Sequence, residues 1–331
     1  MKFSFLICTK NSERTIVEVI ESIASQHAEA CSIEVVIVDY KSNDATLILA
    51  KKKLTEHGIK FKLINCDFPG KSPALTIGLD YSNADYSIIV DDDNILYPEY
   101  INNAILILED RTIGCLGAIG VFDTNLEAPD WFPKYKGHYA IGTIPEAKDW
   151  VWGACAIVNM TAWKSLRNMG YEINLNPSRT DSSTPIAIGG EDTELSLAIH
   201  LMGYKVRFSE KLKFIHKFEQ KRLTKEYLLQ NTLGCCRSVP LTEIYRMAIY
   251  HESHKYPKII WTLKLLKSIV GCIFRMTKGL FRNDLLMMHY NYNIARGIAA
   301  GYVLFFGKFK EVYNKLLHIK NENKQLQDRS S

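Results

Sequence analysis

The chain is 331 residues long, 47% hydrophobic and 23% charged, with a formal net charge of +5. That composition excludes a disordered or fibrous chain and leaves a globular protein of one large domain, or of a domain with an appendage. The modest positive charge gathers late in the chain and demands no nucleic-acid partner, and the eight scattered cysteines, with no C-x-x-C pair, read as reduced thiols of a cytosolic protein.

Residues 1–8 join one lysine to an apolar run. The run is short and Lys10, Glu13 and Arg14 follow at once, so a first strand over 3–9 is expected rather than a leader. Ser12 is placed to cap the next helix, whose apolar face is Ile16, Val19, Ile20 and Ile23 at helical spacing. A second buried strand over 34–39 ends in Asp39 and the polar turn 41–44, before a helix that stops at Gly58. A strand over 61–64, a short helix over 72–81 and a strand over 86–90 continue the alternation. The pattern predicts an α/β fold, a mostly parallel sheet flanked by helices on both faces.

The fourth strand runs into Asp91, Asp92 and Asp93. Adjacent carboxylates repel one another unless a divalent cation, or a cation with phosphates on its far side, neutralises them. In open α/β sheets the carboxyl ends of the strands face the binding crevice. The first turn, Cys8-Thr9-Lys10-Asn11-Ser12, has neither G-x-G-x-x-G nor the P-loop pattern, which argues against hydride transfer and P-loop chemistry. Thr9, Asn11, Asp39 and Asp91 remain at successive strand ends, a set suited to a polar ligand and a metal.

A helix starting near Pro98 and running to about residue 109, then a strand over 113–122, come next. Residues 123–148 lack periodicity and carry Trp131, Phe132, Tyr135 and Tyr139, as functional or partner-facing loops do. The apolar run 150–158 reads as a buried strand and Thr161 as the cap of the following helix. Residues 188–194 open a helix with Leu195, Ala198, Ile199 and Met202 on its buried side. By themselves, Glu191 and Asp192 in its first turn would be ordinary helix-end acids.

As an ordered set, Thr9-Lys10-Asn11, Val38-Asp39 with Ser42 and Asp44, Val90 to Asp93 with Pro98, Trp152-Gly153-Ala154 and Gly190 to Leu195 resemble the family 2 glycosyltransferases over about the first 240 residues. The resemblance implies a GT-A fold that binds a nucleotide-sugar donor. It implies that Thr9 and Asn11 border the nucleoside and that Asp39, with Ser42 beside it, meets the base. Asp91 and Asp93 become the D-x-D pair for Mg²⁺ or Mn²⁺, with Asp92 between them. His216, closing a strand over 212–216, reaches the metal or the diphosphate, and Asp192, next to Glu191, is the general base. Two departures stand out. Tyr40 replaces a second acid common in the family, and Ser72-Pro73-Ala74-Leu75-Thr76 replaces an Ala-Arg-Asn run, leaving Lys71 as the nearest cation for the diphosphate. The implied reaction is inverting transfer of a sugar to a hydroxyl of a glycan or lipid-linked acceptor. A catalytically silent nucleotide-sugar-binding scaffold at the membrane is the alternative, opposed by the intact acids. A sugar nucleotidyltransferase would want a glycine-rich basic loop after the first strand.

Residues 241–319 read as a helical, amphipathic appendage to a catalytic domain over 1–240. Within 257–281, Lys264, Lys267, Arg275 and Lys278 recur on one stripe, and Ile260, Leu263, Leu266, Ile269, Val270, Ile273 and Phe274 supply another face. Such a helix suits an anionic membrane surface, or docks on the catalytic domain with its basic face solvated. A second helix over 293–306 could pair with it, and the polar tail 320–331 is expected to fray. No segment reaches the roughly 20 uncharged apolar residues of a membrane span. The expected location is cytoplasmic, on the inner face of the cell membrane.

Overall fold

The computed structural model describes residues 1–26, 31–143, 149–175, 188–251 and 254–330. In chain order the elements are β1 (Lys2–Thr9), α1 (Ile16–Ala24), β2 (Ser32–Asp39), α2 (Thr46–Glu56), β3 (Lys60–Asn65), α3 (Lys71–Tyr81), β4 (Tyr86–Asp91), β5 (Asn94–Leu96), α4 (Tyr100–Ile107) and β6 (Ile113–Phe122). There follow α5 (Phe132–Tyr135), β7 (Ala156–Asn159), α6 (Met160–Asn168), α7 (Glu191–Leu201), β8 (Lys205–His216), α8 (Lys225–Cys236), α9 (Val239–Tyr250), α10 (Pro257–Phe281), α11 (Leu285–Phe306) and α12 (Phe309–Ser330).

The strands form one sheet in the order β3-β2-β1-β4-β7-β6-β8-β5. Its first half, β3 to β4, is parallel throughout, as the strand–helix alternation predicts. In the second half β7 runs antiparallel to both β4 and β6, and β5 runs antiparallel to β8, so the sheet is mixed. Alternate residues of β1 feed two cores. Phe3, Phe5 and Ile7 pack with the apolar faces of α1 and α2, whereas Leu6 packs on the side of α3, α6 and α7. The register sets Thr9 beside Asp39 and Cys8 beside Asp91, so three strand ends finish level. The short β5, which sequence reasoning did not find, pairs Asn94 with His216 and brings the end of β8 alongside the carboxylates.

Several local expectations change. Ser12 does not cap α1 with its side chain: its carbonyl accepts the Thr15 and Ile16 N–H groups at 3.0 and 2.9 Å, while its hydroxyl goes to Asp92. Pro98 precedes α4 instead of lying in its first turn. Within the run 150–158 only 156–158 are strand, in β7, because Cys155 takes a left-handed φ of 55° that breaks the extension. The cap of α6 is Asn159, whose side chain accepts from the N–H groups of Thr161 and Ala162. The second appendage helix starts at Leu285, eight residues before 293, and the tail expected to fray is helical through Ser330 in α12.

The boundary expected at 240 falls inside α9. Trp261, Phe305 and Leu316 from the C-terminal helices share one apolar cluster with Leu6, Val36 and Leu79 of the sheet layer. Part of the irregular stretch 123–148 is ordered as α5 and a 3-10 turn, Lys136–Tyr139; residues 144–148 of it lie outside the described residues.

Candidate active site

A cavity of about 870 Å³ opens at the carboxyl ends of β1 and β4. One end carries Thr9, Lys10, Tyr40, Lys71 and Asp91 to Asp93; its walls continue through His216, Arg222, Trp152, Glu191 and Asp192 to Arg246 of α9 and Tyr290 of α11.

Each of the three consecutive acids has a different partner. Asp91 pairs with Lys71, which stands at the start of α3 just after Gly70, held at φ 101°. Asp92 turns back to the first strand turn, accepting from the Thr9 hydroxyl at 2.8 Å and from Ser12. Burial, then the charge of Asp93, raises its pKa above the usual carboxylate range. Asp93 faces His216 Nε2 at 3.4 Å and Arg222 at 3.3 Å. Burial alone would push Asp93 upward, but His216 first, then Arg222 and Lys71, outweigh it and hold its carboxyl below the ordinary range. The His216 imidazole is oriented by Nδ1, 2.7 Å from the Tyr139 carbonyl, which leaves Nε2 toward Asp93. A ring nitrogen fixed by a backbone carbonyl, with the other nitrogen beside a carboxylate, is how metal-ligating histidines are held. Among the described residues no three acid, imidazole or thiol groups already stand together as a metal nest. Of the expected metal set, Asp93 and His216 are brought together, while Asp91 is engaged by the Lys71 ammonium.

Asp192 is built differently. Its Oδ2 accepts from the Gly153 N–H at 2.8 Å and its Oδ1 from the Thr193 N–H at 2.7 Å, at the N-terminus of α7. A side chain at 153 would place its Cβ 3.0 Å from the Asp192 Cβ, so a glycine lets the loop close onto the acid. Burial, then the neighbouring Glu191, raises the Asp192 pKa. Glu191 is also buried and accepts from the Gly190 N–H at 3.1 Å.

The residues expected at the nucleoside divide. Thr9 lines the cavity, but Asn11, Asp39 and Ser42 are absent from its walls. They join the first two strand turns: Ser42 bonds Asp39, its Oγ accepts from the Asn11 N–H at 2.9 Å, and Asn11 Oδ1 accepts from the Asn43 N–H at 2.9 Å. Lys10 and Tyr40 line the cavity there instead, the ammonium 4.5 Å from the ring centroid.

Sequence reasoning missed Arg222, six residues beyond His216, because only the fold brings it to Asp93. It also missed Glu194, fully buried and accepting from Asn174, Leu175 and the Tyr245 hydroxyl at 2.6 to 2.8 Å. Nothing in the sequence sets that acid apart from its helix-end neighbours. Tyr290 closes the far side of the cavity, with its hydroxyl 2.7 Å from His138 Nε2 and its ring 4.7 Å from that of Tyr135.

Residues 4–164, just under half of the chain, match the family model described as glycosyl transferase family 2, so this part of the chain is a domain of that family. The chain is 28% identical over 111 residues to the poly(ribitol-phosphate) beta-N-acetylglucosaminyltransferase TarS of Staphylococcus aureus, a match covering 34% of this chain and 19% of that protein. It is 31% identical over 109 residues to EpsE of Bacillus subtilis, covering 33% and 38%. The chain thus spans about a fifth of the first relative's length. In structure it is similar to the mannosyltransferase PcManGT of Pyrobaculum calidifontis, solved with GDP-Man and Mn²⁺, at a TM-score of 0.53 and 16% identity, covering 98% of this chain and 87% of the other. The fold is of the GT-A type.

Proposed function

We propose that the protein transfers a sugar from a nucleoside-diphosphate donor to a hydroxyl group of a glycan acceptor, with inversion at the anomeric carbon. The observation that carries this reading is that one cavity holds two kinds of acid, Asp91 and Asp93 among cations and Asp192 held by the N–H groups of Gly153 and Thr193 and by the Thr193 hydroxyl. In the proposed reaction Asp192 takes the proton of the attacking hydroxyl, the oxygen forms its bond to the anomeric carbon, and the diphosphate leaves on the opposite side. Lys71 and Arg222 lie where they can meet the negative charge that grows on the leaving phosphates. A Mg²⁺ or Mn²⁺ ion, held by Asp93 and His216 with Asp91 beside them, would supply further charge stabilisation. Asp39, Asn11 and Ser42 act on the nucleoside through the turns that carry Lys10 and Tyr40, and Glu191 tunes Asp192.

The relatives support the class of reaction: TarS is by name a sugar transferase, and PcManGT was solved with a nucleotide sugar and Mn²⁺. In this reading the enzyme sits peripherally on the inner face of the cell membrane through its C-terminal helices, and its acceptor is lipid-linked. Among the described residues no helix is long and apolar enough to cross a membrane.

A thermal-shift panel of nucleoside diphosphates and nucleotide sugars, each with Mn²⁺, Mg²⁺ or chelator, tests the reading. One nucleotide should raise the melting temperature in a metal-dependent way, with a stabilisation of about 2.7 kcal/mol at 100 times its dissociation constant. Folded protein that responds to none of them would overturn the donor-binding reading.

A further inference from the structure

We propose that the outward face of α10 is a docking surface for an anionic lipid bilayer. This deepens and rests on the membrane placement proposed above, and needs no assumption about the transfer reaction.

The hairpin of α10 and α11 is mounted firmly on the rest of the molecule. Trp261 is fully buried, donates from Nε1 to the Pro240 carbonyl at 2.8 Å and stacks on Tyr302. On α11, Gly297 and Gly301 allow close approach to the end of α8: a Cβ at 301 would lie 2.2 Å from the Arg237 carbonyl oxygen. With Trp261, Leu265, Cys272 and Gly279 facing inward, little of α10 is needed for this attachment.

The opposite arc carries Leu263, Leu266, Val270, Ile273, Phe274 and Phe281, all more than half exposed, with Phe274 at 71% and Phe281 at 90%. Helical spacing puts them on one side of the rod: at about 100° per residue all six fall within an arc of about 100°. Single exposed apolar residues are ordinary, whereas a row five turns long is a contact surface. The sequence expectation set the basic stripe either against anionic lipid or, in a docked helix, in solvent. In the structure Lys264 pairs with Glu243 at 2.7 Å and Arg275 donates to Asn291 at 2.7 Å, while Lys267 and Lys278 remain exposed alongside the apolar row.

Charge selects the occupant. Neither α10 nor α11 contains an aspartate or glutamate. A second copy meeting this face about a two-fold axis would oppose lysines to lysines without a carboxylate to relieve them. An anionic lipid surface supplies the missing negative charge and an apolar layer for the row, the arrangement of a helix lying in the interface plane. The same hairpin contributes Tyr290 to the active-site cavity, so docking would hold that cavity at a constant orientation to the bilayer.

Co-sedimentation of the full chain with vesicles of phosphatidylcholine, alone or mixed with phosphatidylglycerol, tests this. Binding should be at least about tenfold tighter with phosphatidylglycerol and should weaken as salt screens the lysines. The double substitution Leu266→Glu/Phe274→Glu should cut binding at least about tenfold while the melting temperature and the nucleotide response persist. Lys267→Glu/Lys278→Glu should remove the preference for phosphatidylglycerol. Unchanged binding of the first variant, or no binding of the wild-type chain to phosphatidylglycerol vesicles, would overturn the proposal. So would a dimer that the first variant abolishes in the absence of vesicle binding. A nucleotide response without vesicle binding would sink the docking surface alone; vesicle binding without a nucleotide response would leave the surface and sink the transferase chemistry.

Discussion

The two acidic regions of the cavity treat the same functional group in opposite ways. At the ends of β1 and β4, Asp91 and Asp93 are partly buried but surrounded by Lys71, His216 and Arg222, and Asp93 keeps its negative charge more readily than an ordinary carboxyl. At the start of α7, Asp192 is partly buried with no ion-pair partner among the described residues; desolvation first, then Glu191 beside it, outweigh its two N–H donors, so it binds a proton more readily. A site that must hold a charged ligand wants the first kind, and a site that must accept a proton wants the second. The difference in surroundings, rather than in residue type, separates the two proposed roles.

The strongest way to break this contrast is Asp192→Asn, which keeps shape and burial but removes the proton acceptor. Transfer should fall by about 10² to 10⁴, with the metal-dependent nucleotide shift retained; wild-type turnover by that variant would remove Asp192 from the base role. Asp93→Asn strikes the other region. It should weaken metal-dependent nucleotide binding by about 10- to 100-fold, read by titrating Mn²⁺ in the thermal-shift assay. Equal metal dependence in that variant would dissociate Asp93 from the ion. The finest test is Glu191→Gln with a pH profile. Since Asp192 must be deprotonated to act, kcat/KM should rise with pH through a limb above the ordinary carboxylate range. Because the Glu191 charge contributes to that elevation, its removal should move the limb to lower pH. A limb that stays in place would assign the elevation to burial alone.

The C-terminal helices extend the comparison to the scale of the whole fold. Both a docked helix and a membrane-facing helix were readable from the periodicity of 257–281, and the two are compatible because a helix has more than one side. Trp261 and Leu265 serve the first and Val270 and Phe274 the second. The stripes expected at the sequence level combined these roles: Lys264 and Arg275 hold neighbouring elements while Leu263 and Phe274 stand in solvent.

What the sequence by itself determined is most of what depends on neighbours along the chain. The apolar runs of β1, β2 and β4, the turn at Gly58, the full extent of α10 and the buried side of α7 follow from spacing and local backbone preference, which act over a few residues. The level strand ends follow too, since parallel pairing sets them once the runs are known. Only the tertiary structure decided which acid meets which partner. Asp92 turns to Thr9 and Ser12, Asp93 to His216 through the three-residue β5, Arg222 to Asp93, and Glu194 to Asn174 and Tyr245. Those choices are made by groups far apart in the chain that compete for the same buried oxygens, and burial is set by the assembled sheet and helices. No window of sequence contains both partners, so the direction in which each carboxyl titrates is a property of the fold.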